Sequence, residues 1–197
     1  MIPTSSPTTS DVQLTAEQLA KASNYLVETR AALVESVAGL STLQWTFKPA
    51  PDRWSIEEII EHMVLIENVI HGIIGKMSDA PEAPPDWQPA PMDDFIPTEI
   101  PKGLTKIKAP ESVWPTHRWR GVETLQRFLE SREQTMQLVS APSLRGRVVL
   151  HPVLGPWDGY HWLLAAGAHC SRHTGQIREV KADPDFVETS GAAAKLQ

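Results

Sequence analysis

Residues 158–180 read Asp158-Gly-Tyr-His-Trp-Leu-Leu-Ala-Ala-Gly-Ala-His-Cys-Ser-Arg-His-Thr-Gly-Gln-Ile-Arg-Glu-Val180, and their period decides the fold. Trp162, Ala166, His169, His173, Ile177 and Val180 recur at three- and four-residue steps, which on a helix makes one continuous face. Asp158 stands before that face as an N-cap, after the turn Gly155-Pro156-Trp157, and Asp183-Pro184 ends it. A helix is therefore predicted from about residue 159 to 180. Its inward stripe carries two histidines one turn apart where leucine is expected.

The same period appears three more times. Thr15 and Gln18 form a capping box ahead of Leu19, Ala22, Leu26, Leu33, Val37 and Leu40, a long first helix. Ser55 and Glu58 form a second box, with Trp54 placed for a hydrophobic staple, ahead of the stripe Ile59, His62, Ile66, Val69, Ile70 and Ile73. Val122, Leu125, Leu129, Met136 and Val139 mark a third helix that ends near Ala141-Pro142. Arg147-Val-Val-Leu150 reads either as one extended strand or as a buried loop.

Between the second and third helices, residues 77–117 hold nine prolines from Pro81 to Pro115 and no sustained period. This stretch is read as a long crossover without helix. Residues 1–14 are Ser/Thr/Pro-rich and read as a flexible arm, 15–186 as the domain, and 187–197 as a frayed tail. Four amphipathic helices with one long connection predict an all-α, four-helix bundle.

Composition narrows the function. A chain of 197 residues with a net charge of −6 and a pI near 5.6 offers phosphates little to hold, so nucleic acid is not an expected partner. No uncharged run approaches the roughly 20 apolar residues of a membrane span, and the start MIPTSSPTTSDVQLT lacks a basic and then apolar leader, so a cytoplasmic protein is expected. The single cysteine, Cys170, excludes an internal disulfide and Cys-rich zinc modules. There is no Gly-rich phosphate loop and no G-x-S-x-G motif. Any metal chemistry must then rest on histidines and carboxylates.

His169 and His173 can present two ring nitrogens to one ion, and His62, on the inward stripe of the second helix, is the natural third ligand. The other reading is that all three are hydrogen-bonded core residues. Uncompensated polar groups on three core faces would cost a few kcal/mol each, and that coincidence favours the site. Glu58, one turn before His62, can accept from its free ring nitrogen, although its capping role also explains it. His151 either approaches the site as a supporting donor or alternative ligand, or orders the turn it precedes. Arg172 either neutralises an anionic substrate or belongs, with Arg178, to a solvated face. His161 is a weak candidate two turns before His169, His71 and His117 are read as solvated, and Cys170 points about 100° away from His169.

The stretch from Trp45 through Trp54-Ser55 to His62, then His151-Pro-Val-Leu-Gly155, then His169-Cys-Ser-Arg-His-Thr-Gly-Gln-Ile177, resembles the DinB/YfiT-like superfamily over about residues 15–185. The combined W-S-x(6)-H and H-x(3)-H-x(2)-Q-I pattern carries the likeness. The resemblance implies a four-helix bundle binding a divalent ion through His62, His169 and His173, with zinc or nickel the first expectation and iron or manganese also possible. It implies a metal-dependent enzyme, a hydrolase or a transferase, that activates a thiol or water toward a small electrophilic substrate, with a low-molecular-weight thiol as partner and a homodimer as the working form. The alternative is a non-catalytic metal-binding stress-response or interaction module. The crossover either folds over the open metal face or wraps the surface, packing Trp87, Phe95 and Trp114 against the helices.

Overall fold

The computed structural model describes residues 13–103 and 109–186. The arm expected over residues 1–14 therefore lies outside the described residues but for its last two, as does the whole tail at 187–197. Four long helices make the bundle: α1 (Ala16–Ser36), α3 (Ile56–Ile74), α5 (Val122–Gln137) and α6 (Gly159–Lys181). Two shorter ones, α2 (Thr42–Thr46) and α4 (Ala90–Glu99), sit in the connections. β1 (Val149–His151) and β2 (Gly155–Trp157) pair antiparallel, Val149 opposite Trp157 and His151 opposite Gly155. The stretch left open between strand and loop is thus one arm of a hairpin. α6 is the central element, packed against α1, α3 and α4, while α5 lies along α3.

Local sequence chemistry starts these helices. Thr15 with Gln18, Ser41 with Gln44, Ser55 with Glu58 and Asp158 with His161 each form a capping box, a side chain accepting from the N3 amide and the N3 side chain answering at the cap. The first helix is shorter than its apolar stripe suggested. Gly39 adopts φ +71° and Ser41 restarts the chain as α2, so Val37 and Leu40 fall beyond α1.

The crossover does contain helix, contrary to expectation. Pro89 caps α4 and Pro91 sits in its first turn, where an amide has no intrahelical partner and its loss costs nothing. Pro97 lies inside the helix and leaves the Asp93 carbonyl without its usual donor. Lys21 Nζ reaches that carbonyl at 3.4 Å. Single 3₁₀ turns at Met77–Asp79, Ile100–Lys102 and Glu111–Val113 also lie in the connection.

The core has two apolar parts. Leu26, Ile70, Met77, Ile96, Trp157, Tyr160 and Leu163 fill the hairpin end, and Leu33, Trp45, Ile56, Ile60, Met63, Phe128 and Ile177 fill the other. On each long helix a polar residue or a bound carbonyl separates them. Arg132, wholly buried, donates from Nε to Glu67 Oε1 at 2.7 Å, from Nη1 to Leu26 O at 3.2 Å and Thr29 Oγ1 at 3.0 Å, and from Nη2 to Ala166 O at 3.1 Å. One guanidinium thus joins α5 to α3, α1 and α6, with nearly every donor satisfied. Among the described residues no helix is long and apolar enough to cross a membrane.

Candidate metal centre

His62 lies in the second turn of α3, and His169 and His173 face it from α6. One ring nitrogen from each lies within 4.8 Å of the other two. The ring centroids are 5.1 Å apart for His62 and His169, 5.0 Å for His62 and His173, and 4.2 Å for His169 and His173. His62 and His173 are buried, while His169 keeps partial exposure. Trp54 packs its ring 4.9 Å from that of His62 and joins the apolar cluster around Ile59.

Electrostatics make all three rings neutral. Burial lowers the His62 pKa, with the Val113 carbonyl opposing it. His169 is driven well below the ordinary histidine value by burial and then by the neighbouring His173 and His62. His173 falls to about 3, from burial first and then from His62, with Arg172 adding to the effect. A neutral imidazole donates from one nitrogen and offers a lone pair at the other. The His62 Nδ1–H donates to the Val113 carbonyl at 2.8 Å, and the His173 Nδ1–H donates to Gln176 Oε1 at 2.6 Å. Both Nε2 atoms are left as acceptors, and His173 Nε2 lies 3.0 Å from His169 Nε2. That separation suits two nitrogens each about 2.0–2.1 Å from one divalent ion. The donor set therefore fits a metal: three neutral nitrogens, and among the described residues no carboxylate or thiol in the cluster.

For Glu58 and His151, each open to two readings, the structure shows the local role and not support of the centre. Glu58 does not serve His62: its Oε1 accepts from Lys48 Nζ at 2.8 Å and its Oε2 from the Ser55 amide at 2.8 Å. Burial pushes this carboxyl up, but those two partners outweigh it and hold it below the usual range. His151 is not at the centre either. It stacks on Trp157 at 4.1 Å in the hairpin, and its Nδ1 accepts from the Val153 and Leu154 amides at 3.2 and 3.1 Å. Arg172 sits beside His173 with its guanidinium against Gly103, whose missing side chain leaves the room, and Glu179 is 3.9 Å away.

The other histidines are also placed. His161 is buried, its Nε2 2.9 Å from Asp93 Oδ1, which ties α4 to α6. His71, read as solvated, is half-buried, with Nε2 2.8 Å from Thr135 Oγ1. His117 is exposed, 3.5 Å from Glu58. Cys170 is buried and donates to the Thr29 carbonyl at 3.3 Å.

Two supporting groups escaped the sequence reading, Gln176 and the Val113 carbonyl. Gln176 had a signal, its i+3 position after His173; a backbone carbonyl fifty-one residues from its partner had none. The crossover reaches His62 because α3 holds its far end. Glu61 accepts from the Thr116 amide at 3.0 Å and from Arg118 Nη1 at 3.2 Å, and Glu57 from Arg120 Nη1 at 2.8 Å and the Gly121 amide at 3.0 Å. Trp114, on this segment, keeps 37% exposure, whereas Trp87 donates to the Pro156 carbonyl at 3.3 Å.

The chain is similar to the Uncharacterized protein YuaE of Bacillus subtilis (strain 168), 26% identical over 159 residues that cover 78% of this chain and 93% of the relative. The DinB superfamily profile matches residues 25–177, a span that runs from α1 to the Ile177 that follows the paired histidines of α6. With the bundle, the profile and the converging histidines in agreement, the chain belongs to the DinB superfamily.

Proposed function

We propose that the chain is a divalent-metal-dependent enzyme that activates a thiol or water for transfer to, or hydrolysis of, a small electrophilic substrate. The observation that carries this reading is the convergence of three neutral imidazoles without a fourth protein ligand among the described residues. A structural site of this kind is ordinarily closed by four protein ligands, whereas three leave positions for exogenous groups. His62, His169 and His173 would hold the ion. Zinc or nickel is the leading choice, and iron or manganese suits the same donors. When bound, the ion supplies Lewis acidity, which lowers the pKa of a thiol or water or polarises a carbonyl.

The chain's own residues support that chemistry in three ways. Val113 and Gln176 hold two rings with their Nε2 lone pairs inward. Trp54 covers one side of the His62 ring with apolar surface. Arg172 places a positive charge beside His173, suited to an anionic group on the substrate or on a low-molecular-weight thiol. The reading also takes a homodimer in the cytoplasm as the working form.

Cobalt substitution tests it. Adding 2-mercaptoethanol to the cobalt-loaded protein should produce a sulfur-to-cobalt charge-transfer band, which the His169→Ala protein should lack. Bound cobalt whose spectrum no thiol alters would contradict the reading and favour a closed, non-catalytic metal module.

A further inference from the structure

Gln176 ends the H-x(3)-H-x(2)-Q pattern and has no role as a ligand, yet its Oε1 makes a 2.6 Å bond to His173 Nδ1. A helix-surface glutamine is free to turn to solvent. This one is half-buried and points along its own helix at a buried ring. An oxygen acceptor there favours the proton on Nδ1 and so leaves the lone pair on Nε2, the atom 3.0 Å from His169 Nε2. The Val113 carbonyl does the same for His62 at 2.8 Å.

We propose that Gln176 is a positioning residue of the metal centre, fixing the tautomer and the angle of His173 so that its Nε2 lone pair meets those of His62 and His169. The proposal rests on the metal-dependent reading above and deepens it. Groups behind a ligating histidine raise its basicity and set its orientation, and their loss weakens metal binding by about 10- to 100-fold. A glutamate at the position keeps an oxygen acceptor, so it should preserve the effect where alanine abolishes it.

The test compares wild type, Gln176→Ala and Gln176→Glu in two measurements. Zinc affinity by chelator competition should fall about 10- to 100-fold in Gln176→Ala and stay at or above wild type in Gln176→Glu. Long-range nitrogen–proton NMR on the metal-free proteins should report the Nδ1–H tautomer of His173 in wild type and Gln176→Glu, and Nε2–H or a mixture in Gln176→Ala. A merely structural glutamine would lower the thermal midpoint without moving tautomer or affinity, and that result would overturn the proposal. So would alanine binding zinc within twofold of wild type. Wild-type protein that binds none of zinc, nickel, iron or manganese would instead defeat the metal centre itself, and this inference with it.

Discussion

His173 shows what a buried ring costs and what it offers. Out of water, with His62 opposite and Arg172 alongside, it resists protonation down to about pH 3, so near neutral pH it is a lone-pair donor that no proton contests. His169 and His62 shift in the same direction, burial leading in each. Their folded pKa values lie below the unfolded value of 6.5, so below that pH the unfolded chain binds protons that the folded chain refuses, and for His173 this persists down to about pH 3. The metal-free protein should therefore lose thermal stability as pH falls from 7 to 5. His173→Leu should flatten that dependence, as differential scanning calorimetry across the range would show. The three ligand candidates were legible because each interrupts an apolar stripe. For Glu58 the capping role holds and the support of His62 does not, because spacing puts it near His62 but carries no information about a competing cation arriving from the preceding turn, here Lys48.

At the scale of elements, the helix starts follow directly from the residues at them. Ser55 caps α3 while its Glu58 partner closes the box, and this end of the helix carries His62 and the glutamates that hold the crossover. Ser55→Ala should cost about 1 kcal/mol in urea denaturation; an unchanged midpoint would show that Lys48 and Glu58 hold the turn without the cap. α4 was not legible because the number of prolines in the crossover masks the positions that tolerate them. Two of them occupy the start of the helix, where proline is tolerated, and the break made by Pro97 is bridged from α1 by Lys21. The hairpin was ambiguous for a different reason, since its three-residue strands are too short for a period of two to show.

Across the whole molecule, one buried ion pair spans the bundle between its two apolar halves. Removing the Arg132 side chain strands the Glu67 carboxylate and strips donors from α1 and α6. Arg132→Ala should destabilise the fold by about 3–5 kcal/mol in urea denaturation. A loss under 1 kcal/mol would mean that water replaces the guanidinium at no cost. None of this layer was legible in the sequence, because an arginine on a helix reads as surface until four separate elements are seen to meet at it. The crossover likewise gained its role only in three dimensions, where Glu57 and Glu61 anchor the segment whose Val113 carbonyl holds His62.

Metal content tests most directly whether His62, His169 and His173 hold one ion. Untagged protein, wild type beside His62→Ala and His173→Ala, should be measured by plasma mass spectrometry after purification without a metal column. Near-stoichiometric zinc, nickel, iron or manganese in wild type, lost from both variants while their helical content persists, is the predicted result. Folded wild type without metal, or variants that keep it, would contradict the account.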